Sequence, residues 1–488
     1  MNRSQGKWLA VGAAIAIALP GAAAAQESPQ TYLERIEAID DAGPRLDAVI
    51  AIAPEIASEA PASAPLAGRA VLVKDNIETR DMATTAGSLA LKDNMTGRDA
   101  PLVARLRKAG AVILGKTNLS EWANFRGDRS SSGWSGVGGQ TRNPHAIDRS
   151  PCGSSAGSGA AVAAGLAWAA VGTETNGSIT CPASVNGVVG FKPTVGLVSR
   201  TYVVPISATQ DTAGPMTANV HDAALLLTAM AGSDPADAAT AEADRHAVDF
   251  TKGLAEATLK GVRIGVLRKQ AGKLPGVLAL FDRAVADMKR AGAEIVEIDY
   301  EPDETMWRDE NTLLLYEFRE GIDAYLADLP GVPPARDLAG LIAFDNAHAD
   351  EELRWYGQET FEEAFAATDT EAYRKALENA QRLAGPEGID RLMTANRVDV
   401  LVAPTTGPAW PIDLVNGDHF MRVGAGSLAA ISGYPHLSVP MGQVERLPVG
   451  LSFMAGKWQD AKVLRIGAAY ERARTAPLSP PSFQDWHQ

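Results

Sequence analysis

The stretch "SPCGSSAGSGAAVAAG", Ser150–Gly165, contains Gly153-Ser154-Ser155-Ala156-Gly157, a G-x-S-x-G pattern. In α/β-hydrolases that pattern marks a nucleophilic serine on a sharp strand-to-helix turn, followed along the chain by an acid and then a histidine. The surroundings here do not fit. The preceding "TRNPHAIDRSPC" carries Pro144 and Pro151, and proline cannot donate to a sheet ladder, so this is no buried strand. His419, His436 and His487 lie downstream in loop-like contexts, none with a distinctive partner motif. A chain with 46 glycines meets G-x-S-x-G easily by chance. Ser155 is therefore not read as an elbow nucleophile.

Reading onward, the Ala-, Val- and Gly-rich run forms a helix whose backbone packs close to its neighbours, and "GTETNGS", residues 172–178, follows as a polar turn. Such a turn presents consecutive backbone N–H groups to a developing oxyanion, with Ser178 at its end as a nucleophile. A serine needs a base, and no histidine occurs in this region. Lysine serves where burial lowers its pKa, as in Ser-Lys variants of the triad. The candidate is Lys74 in "AVLVKDNI", residues 70–77. Taken alone, a lysine at a strand end is an ordinary solvated charge.

Around these segments, β-branched runs alternate with helical ones. "GRAVLVKDN" reads as strand and turn, "PLVARLRKAGAVILGKTN" as helix and strand, and "KGVRIGVLR" with "LALFDRAVADMKRAGAEIVEIDY" as strand, helix and strand. "VDVLVAPTT", "PHLSVPMG" and "PVGLSFMAG" read as late strands and "DAKVLRIGAAYERA" as a helix. The pattern predicts an α/β fold: one large domain with a central, mostly parallel mixed β-sheet covered by helices on both faces. Residues 303–385 depart from it, being helical, acidic and aromatic-rich. They are read as an elaboration of the same domain, most aromatics facing a core and a minority lining a substrate channel.

The 488 residues are 46% hydrophobic and 21% charged, the balance of a globular protein. Residues 1–25 carry Arg3 and Lys7, an apolar run from Trp8 to Leu19 and a small-residue A-x-A end at Ala23–Ala25. That three-part pattern reads as a secretory signal peptide, and the run is shorter than the roughly 20 residues of a spanning helix. The expected mature domain is residues 26–488, periplasmic, with no membrane span. Loss of Arg3 and Lys7 takes the formal charge from −14 to −16. Such a surface repels phosphate backbones, so no nucleic-acid partner is expected. Cys152 and Cys181 are the only cysteines. One disulfide is permitted, but both sit among small residues and are read as free thiols packing as small hydrophobes.

"VLVKDN", "SPCGSSAGS", "GTETNGSITCPAS", "GFKPTVGLVSR", "QDTAGPM", "GYPHLSVPMG" and "LPVGLSFMAG", in this order, together resemble the amidase signature family from about residue 30 to residue 475. Within it, Ser130–Met216 is similar to bacterial peptide amidases, which carry "SSSGWS" and "SPCGSS" type sequences. The resemblance implies a Ser-cisSer-Lys triad of Lys74, Ser154 and Ser178, the two serines 24 positions apart. It implies that Ser154, not Ser155, follows a cis peptide bond and relays protons between Lys74 and Ser178. Ser178 is then the acylated nucleophile, and backbone N–H groups of Thr175, Asn176, Gly177 and Ser178 form the oxyanion hole. Trp134 is expected to bind substrate, with no metal and no cofactor, as a monomer or homodimer. Cys152, Ala156 and Asn176 stand at positions where the family commonly has glycine, and Thr180 replaces a frequent arginine. No implied catalytic side chain is altered, but substrate assignments from arginine-bearing members do not carry over.

The function expected is an exported amide hydrolase acting on C-terminal peptide amides or other small-molecule carboxamides. The alternatives are an amidase-fold esterase or aryl-acylamidase, an amidotransferase subunit of the same family, and a non-catalytic binding protein.

Overall fold

The computed structural model describes residues 27–57 and 61–487; the expected leader, residues 1–25, lies outside the described residues. Thirteen strands occur among them: β1 (Val49–Ile52), β2 (Ala70–Lys74), β3 (Val112–Thr117), β4 (Trp134–Ser135), β5 (Gly139–Gln140), β6 (Ala169–Glu174), β7 (Val189–Lys192), β8 (Thr212–Thr217), β9 (Arg263–Val266), β10 (Glu294–Glu297), β11 (Val400–Pro404), β12 (His436–Val444) and β13 (Leu447–Met454). Except for the β4–β5 pair they form one sheet of eleven strands in the order β1-β3-β2-β6-β8-β7-β12-β13-β11-β9-β10. It is mixed. Parallel pairs join β3, β2 and β6 towards one edge and β11, β9 and β10 at the other. Antiparallel pairs link the two blocks through β8, β7, β12 and β13.

Helices cover both faces of this single α/β domain. Successive strand residues point to opposite sides, and β2 obeys that rule: Val71 and Val73 enter one hydrophobic cluster, Ala70 and Leu72 another. The first cluster takes Leu102, Val103 and Leu106 from the helix Pro101–Lys108 and the apolar side of Val220–Met230. The second takes Ala160, Ala161 and Val162 from Ala156–Ala163. A strand buried on both faces has no reason to alternate polar with apolar residues, and every residue of β2, β3 and β6 is buried.

The aromatic-rich region consists largely of four helices, Thr305–Asp328, Leu338–Ala347, Glu359–Ala366 and Thr370–Ala384. Asp337 and Asp369 start two of them by accepting backbone N–H bonds from the first turn. Phe318, Ile322, Tyr325 and Phe361 pack with Leu91, Trp122, Val204 and Ile206, so this layer leans on loops at one end of the sheet.

The helix Ala156–Ala163 approaches its neighbours closely. A Cβ at Gly157 would meet Ala48 O at 2.3 Å, Asn118 O at 2.6 Å and Asn118 N at 2.7 Å. Backbone cannot yield as a side-chain tip does, so Gly157→Ala is expected to destabilise the protein by about 1–3 kcal/mol through overpacking. A thermal melt checks it; an unchanged Tm would mean that the helix can slide outward.

Candidate active site

Parallel strands place their carboxyl ends side by side, where α/β sheets expose binding crevices. Lys74 ends β2, and Thr173 and Glu174 end the adjacent β6. Lys74 Nζ lies 2.7 Å from Ser154 Oγ, 2.8 Å from Thr173 Oγ1 and 3.4 Å from Thr173 O. The lysine side chain is completely buried. Burial pushes its pKa down to about 7, with Asp211 and Glu174 opposing the shift by their charge. Neutral Lys74 therefore has a lone pair for the Ser154 hydroxyl proton.

The Gly153–Ser154 peptide is cis. Ser154 O accepts from Ser120 N at 3.1 Å, and Ser155 N donates to Ser178 O at 3.1 Å, which joins the two serine loops. Ser155 Oγ donates to Thr173 O at 3.0 Å and accepts from Thr173 N at 3.2 Å. The middle serine of G-x-S-x-G is thus occupied in holding the end of β6, while its predecessor faces the lysine.

Ser178 is half-buried, and its carbonyl is tied to Ser155 N beside the Ser154 that faces Lys74. Among the described residues the N–H groups of Asn176, Gly177 and Ser178 have no protein acceptor. Gly177 has φ +83°, the left-handed conformation that lets the turn present these groups at little steric cost. Carboxylates brace the turn from outside. Glu174 accepts from Ile179 N at 2.7 Å and Thr180 N at 2.9 Å, fixing the chain just after Ser178. Asp211 accepts from Thr175 Oγ1 at 2.6 Å and from the N–H groups of Ile206 and Ser207 at 2.8 Å. Burial raises the Asp211 pKa and these bonds oppose the rise. Glu310 accepts from Asn176 Nδ2 at 2.8 Å. Thr173, Glu174 and Asp211 lie inside quoted motifs, so their position carried a signal; Glu310 lies in a helix with none.

Trp134 is packed among other side chains. Its ring is buried, edge-on to Tyr356 at 5.5 Å and 5.6 Å from the Arg126 guanidinium. Arg126 is buried between Glu121 and Glu352, and burial drives the Glu121 pKa well up. The aromatic helices do line an opening: Tyr316 and Tyr373, stacked at 4.3 Å, border a cleft of about 570 Å³ with Glu317, Arg200 and Asp211. Arg200 and Asp211 also border a narrow cavity touching Asn76, Thr173 and Thr175. Among the described residues no group of three or more His, Cys, Asp or Glu side chains is placed to hold a metal ion.

The expectation of free thiols is overturned: Cys152 and Cys181 form a disulfide, their Cα atoms 6.0 Å apart and 29 positions apart in sequence. The small residues that suggested simple packing let the Ser154 loop fold onto the Ser178 loop, and this brings the two sulfurs together. Closing a loop of that length is worth about 2–4 kcal/mol in the chain-entropy account. Thiol alkylation under denaturing, non-reducing conditions is expected to label neither cysteine and, after reductant, both. The Cys152→Ala/Cys181→Ala variant should lose about 2–4 kcal/mol of stability; full labelling without reductant would exclude the bond.

A family model described as Amidase matches residues 27–464. The X-ray structure of native peptide amidase from Stenotrophomonas maltophilia is similar with a TM-score of 0.87 at 49% identity, over 93% of this chain and 94% of that one. A probable amidase of Arabidopsis thaliana is 39% identical over 429 residues, 86% of this chain and 78% of the relative. A glutamyl-tRNA(Gln) amidotransferase subunit of Salinispora arenicola is 35% identical, over 95% of this chain and 96% of its own. The family match spans most of the chain and is joined by these identities and by a shared fold. The chain belongs to the amidase signature family and is a hydrolase of amide C–N bonds.

Proposed function

We propose that the protein is an exported amidase acting on C-terminal peptide amides through Lys74, Ser154 and Ser178. The observation that carries this reading is the completely buried Lys74, its Nζ 2.7 Å from Ser154 Oγ and its pKa lowered to about 7. Neutral Lys74 accepts the Ser154 hydroxyl proton as Ser154 takes the Ser178 proton, and Ser178 Oγ forms a bond to the amide carbon. The N–H groups of Thr175, Asn176, Gly177 and Ser178 receive the carbonyl oxygen as it becomes negative. The relay then returns a proton to the amide nitrogen, the C–N bond breaks and ammonia leaves. Water, deprotonated by the same route, attacks the acyl-Ser178 ester and releases the acid.

The peptide-amide substrate rests on the likeness to the Stenotrophomonas maltophilia peptide amidase. Export rests on the leader pattern in residues 1–25 and on the disulfide, which persists in oxidising compartments. The amidotransferase relatives favour a second reading, a subunit that needs partners. Ammonia release by the purified chain alone separates the two.

Two outcomes are expected. On a panel of C-terminally amidated dipeptides and simple aliphatic and aromatic amides, the wild type releases ammonia and Ser178→Ala loses at least about 10³-fold in kcat. Turnover confined to simple amides would keep the mechanism and discard the substrate. For pH, the active form is the unprotonated lysine, so kcat/KM should rise about tenfold per unit below a bend near pH 7 and level off above it. A profile flat from pH 5 to 9 would remove Lys74 from the role of base.

A further inference from the structure

The turn that precedes Ser178 is open above Gly177, where a Cβ would meet nothing within 4 Å. Packing does not fix it on that side. Its position comes from the bonds on its flanks, and Glu310 supplies the pair that reaches two successive turn residues. Glu310 Oε1 accepts from Asn176 Nδ2 at 2.8 Å and from Gln210 Nε2 at 3.0 Å, while Gln210 Nε2 also points to Thr175 O at 3.2 Å. One carboxylate oxygen thus holds Asn176 directly and Thr175 through Gln210. Ser427 completes the Asn176 amide, accepting at 3.2 Å and donating at 3.3 Å.

Glu310 is 6% exposed and no cation neutralises it among the described residues, so its hydrogen-bonding capacity faces these amides. Its helix repeats the arrangement two turns on. Glu317, on the same face by the 3.6-residue period, accepts from Thr209 N and Oγ1, both at 3.1 Å, and from Ser207 Oγ. Tyr373 OH donates to its other oxygen at 2.9 Å. The helix Thr305–Asp328 therefore clamps the segment 207–210 at Glu317 and the turn 175–176 at Glu310.

We propose that Glu310 is a positioning residue for the hydrolysis, setting the N–H groups of Asn176, Gly177 and Ser178 at the distance the oxyanion needs. The inference rests on the reading of Ser178 as nucleophile given above. Donors aimed at a developing charge act only over a few tenths of an ångström, and misplacement by about 1 Å can cost 10²-fold. The effect should fall on kcat, because the turn meets the carbonyl oxygen most strongly in the transition state. Removing Glu310 also takes the shared acceptor from the buried Gln210 amide and the half-buried Asn176 amide, which frees the turn.

The test is steady-state ammonia release by the full chain on an amidated dipeptide. Glu310→Ala is expected to lower kcat about 100-fold with KM within about threefold of wild type. Glu310→Gln keeps a carbonyl oxygen for the same two donors and should recover kcat to within about fivefold of wild type. Asn176→Ala cuts the same bond from the other side, so the double variant with Glu310→Ala should be no slower than about twice the slower single variant. Unchanged kcat in Glu310→Ala, a KM-only effect, a Gln variant as slow as Ala, or strictly multiplicative losses in the double variant would each overturn the proposal. If Glu310→Ala does not fold, the Gln and Asn176→Ala variants decide it by the same limits. Ser178→Ala keeps the two readings apart: turnover by that variant sinks the nucleophile, whereas a dead Ser178→Ala beside a normal Glu310→Ala sinks only the clamp.

Discussion

A lysine sealed from water is the constraint around which this end of the sheet is arranged. An ammonium loses its hydration on burial, and the protein returns only two side-chain oxygens and one carbonyl to Lys74. The imbalance lowers the pKa to about 7. β2 buries the lysine because it is flanked on both edges by parallel strands and covered on both faces, so its last residue is as dry as its first. Opening the sheet at this end would rehydrate Lys74 and restore its charge.

The second tension is electrostatic. Glu174 and Glu310 are buried carboxylates and Asp211 a half-buried one, all close to a turn that, in the proposed reaction, receives negative charge. Unpaired, they would oppose it at short range in a low dielectric. Each instead turns an oxygen toward N–H or O–H donors of the turn or its flanks. Their charge is spread into fixed dipoles, and the N–H groups of Asn176, Gly177 and Ser178 stay without a protein acceptor among the described residues. Rigidity is obtained from acids whose oxygens are already engaged by donors of the turn and its flanks.

Much of this was legible in the sequence. The strands at Ala70–Lys74, Val112–Thr117, Arg263–Val266 and Val400–Pro404 stand out as apolar β-branched runs, and the parallel blocks follow from the helices between them. The direction of β8 and β12 was not legible, because burial on both faces erases the alternation that would reveal pairing. Lys74, Ser154 and Ser178 could be singled out because each sits in a compact motif. Glu310 could not, since one glutamate in an acidic helix looks like any other until the helix is docked. The disulfide escaped for a related reason: its partners meet only through the fold-back of Ser155 onto Ser178 O.

That cross-link turns residues 152–181 into a covalent ring. The ring carries both serines, the small-residue helix between them, β6 and the turn, so most of the site is a closed loop of chain. A single backbone break inside it would leave no free fragment. Lys74 stands outside the ring and enters from β2, so the two serines stay tethered to each other even where the sheet has yet to bring the lysine to them.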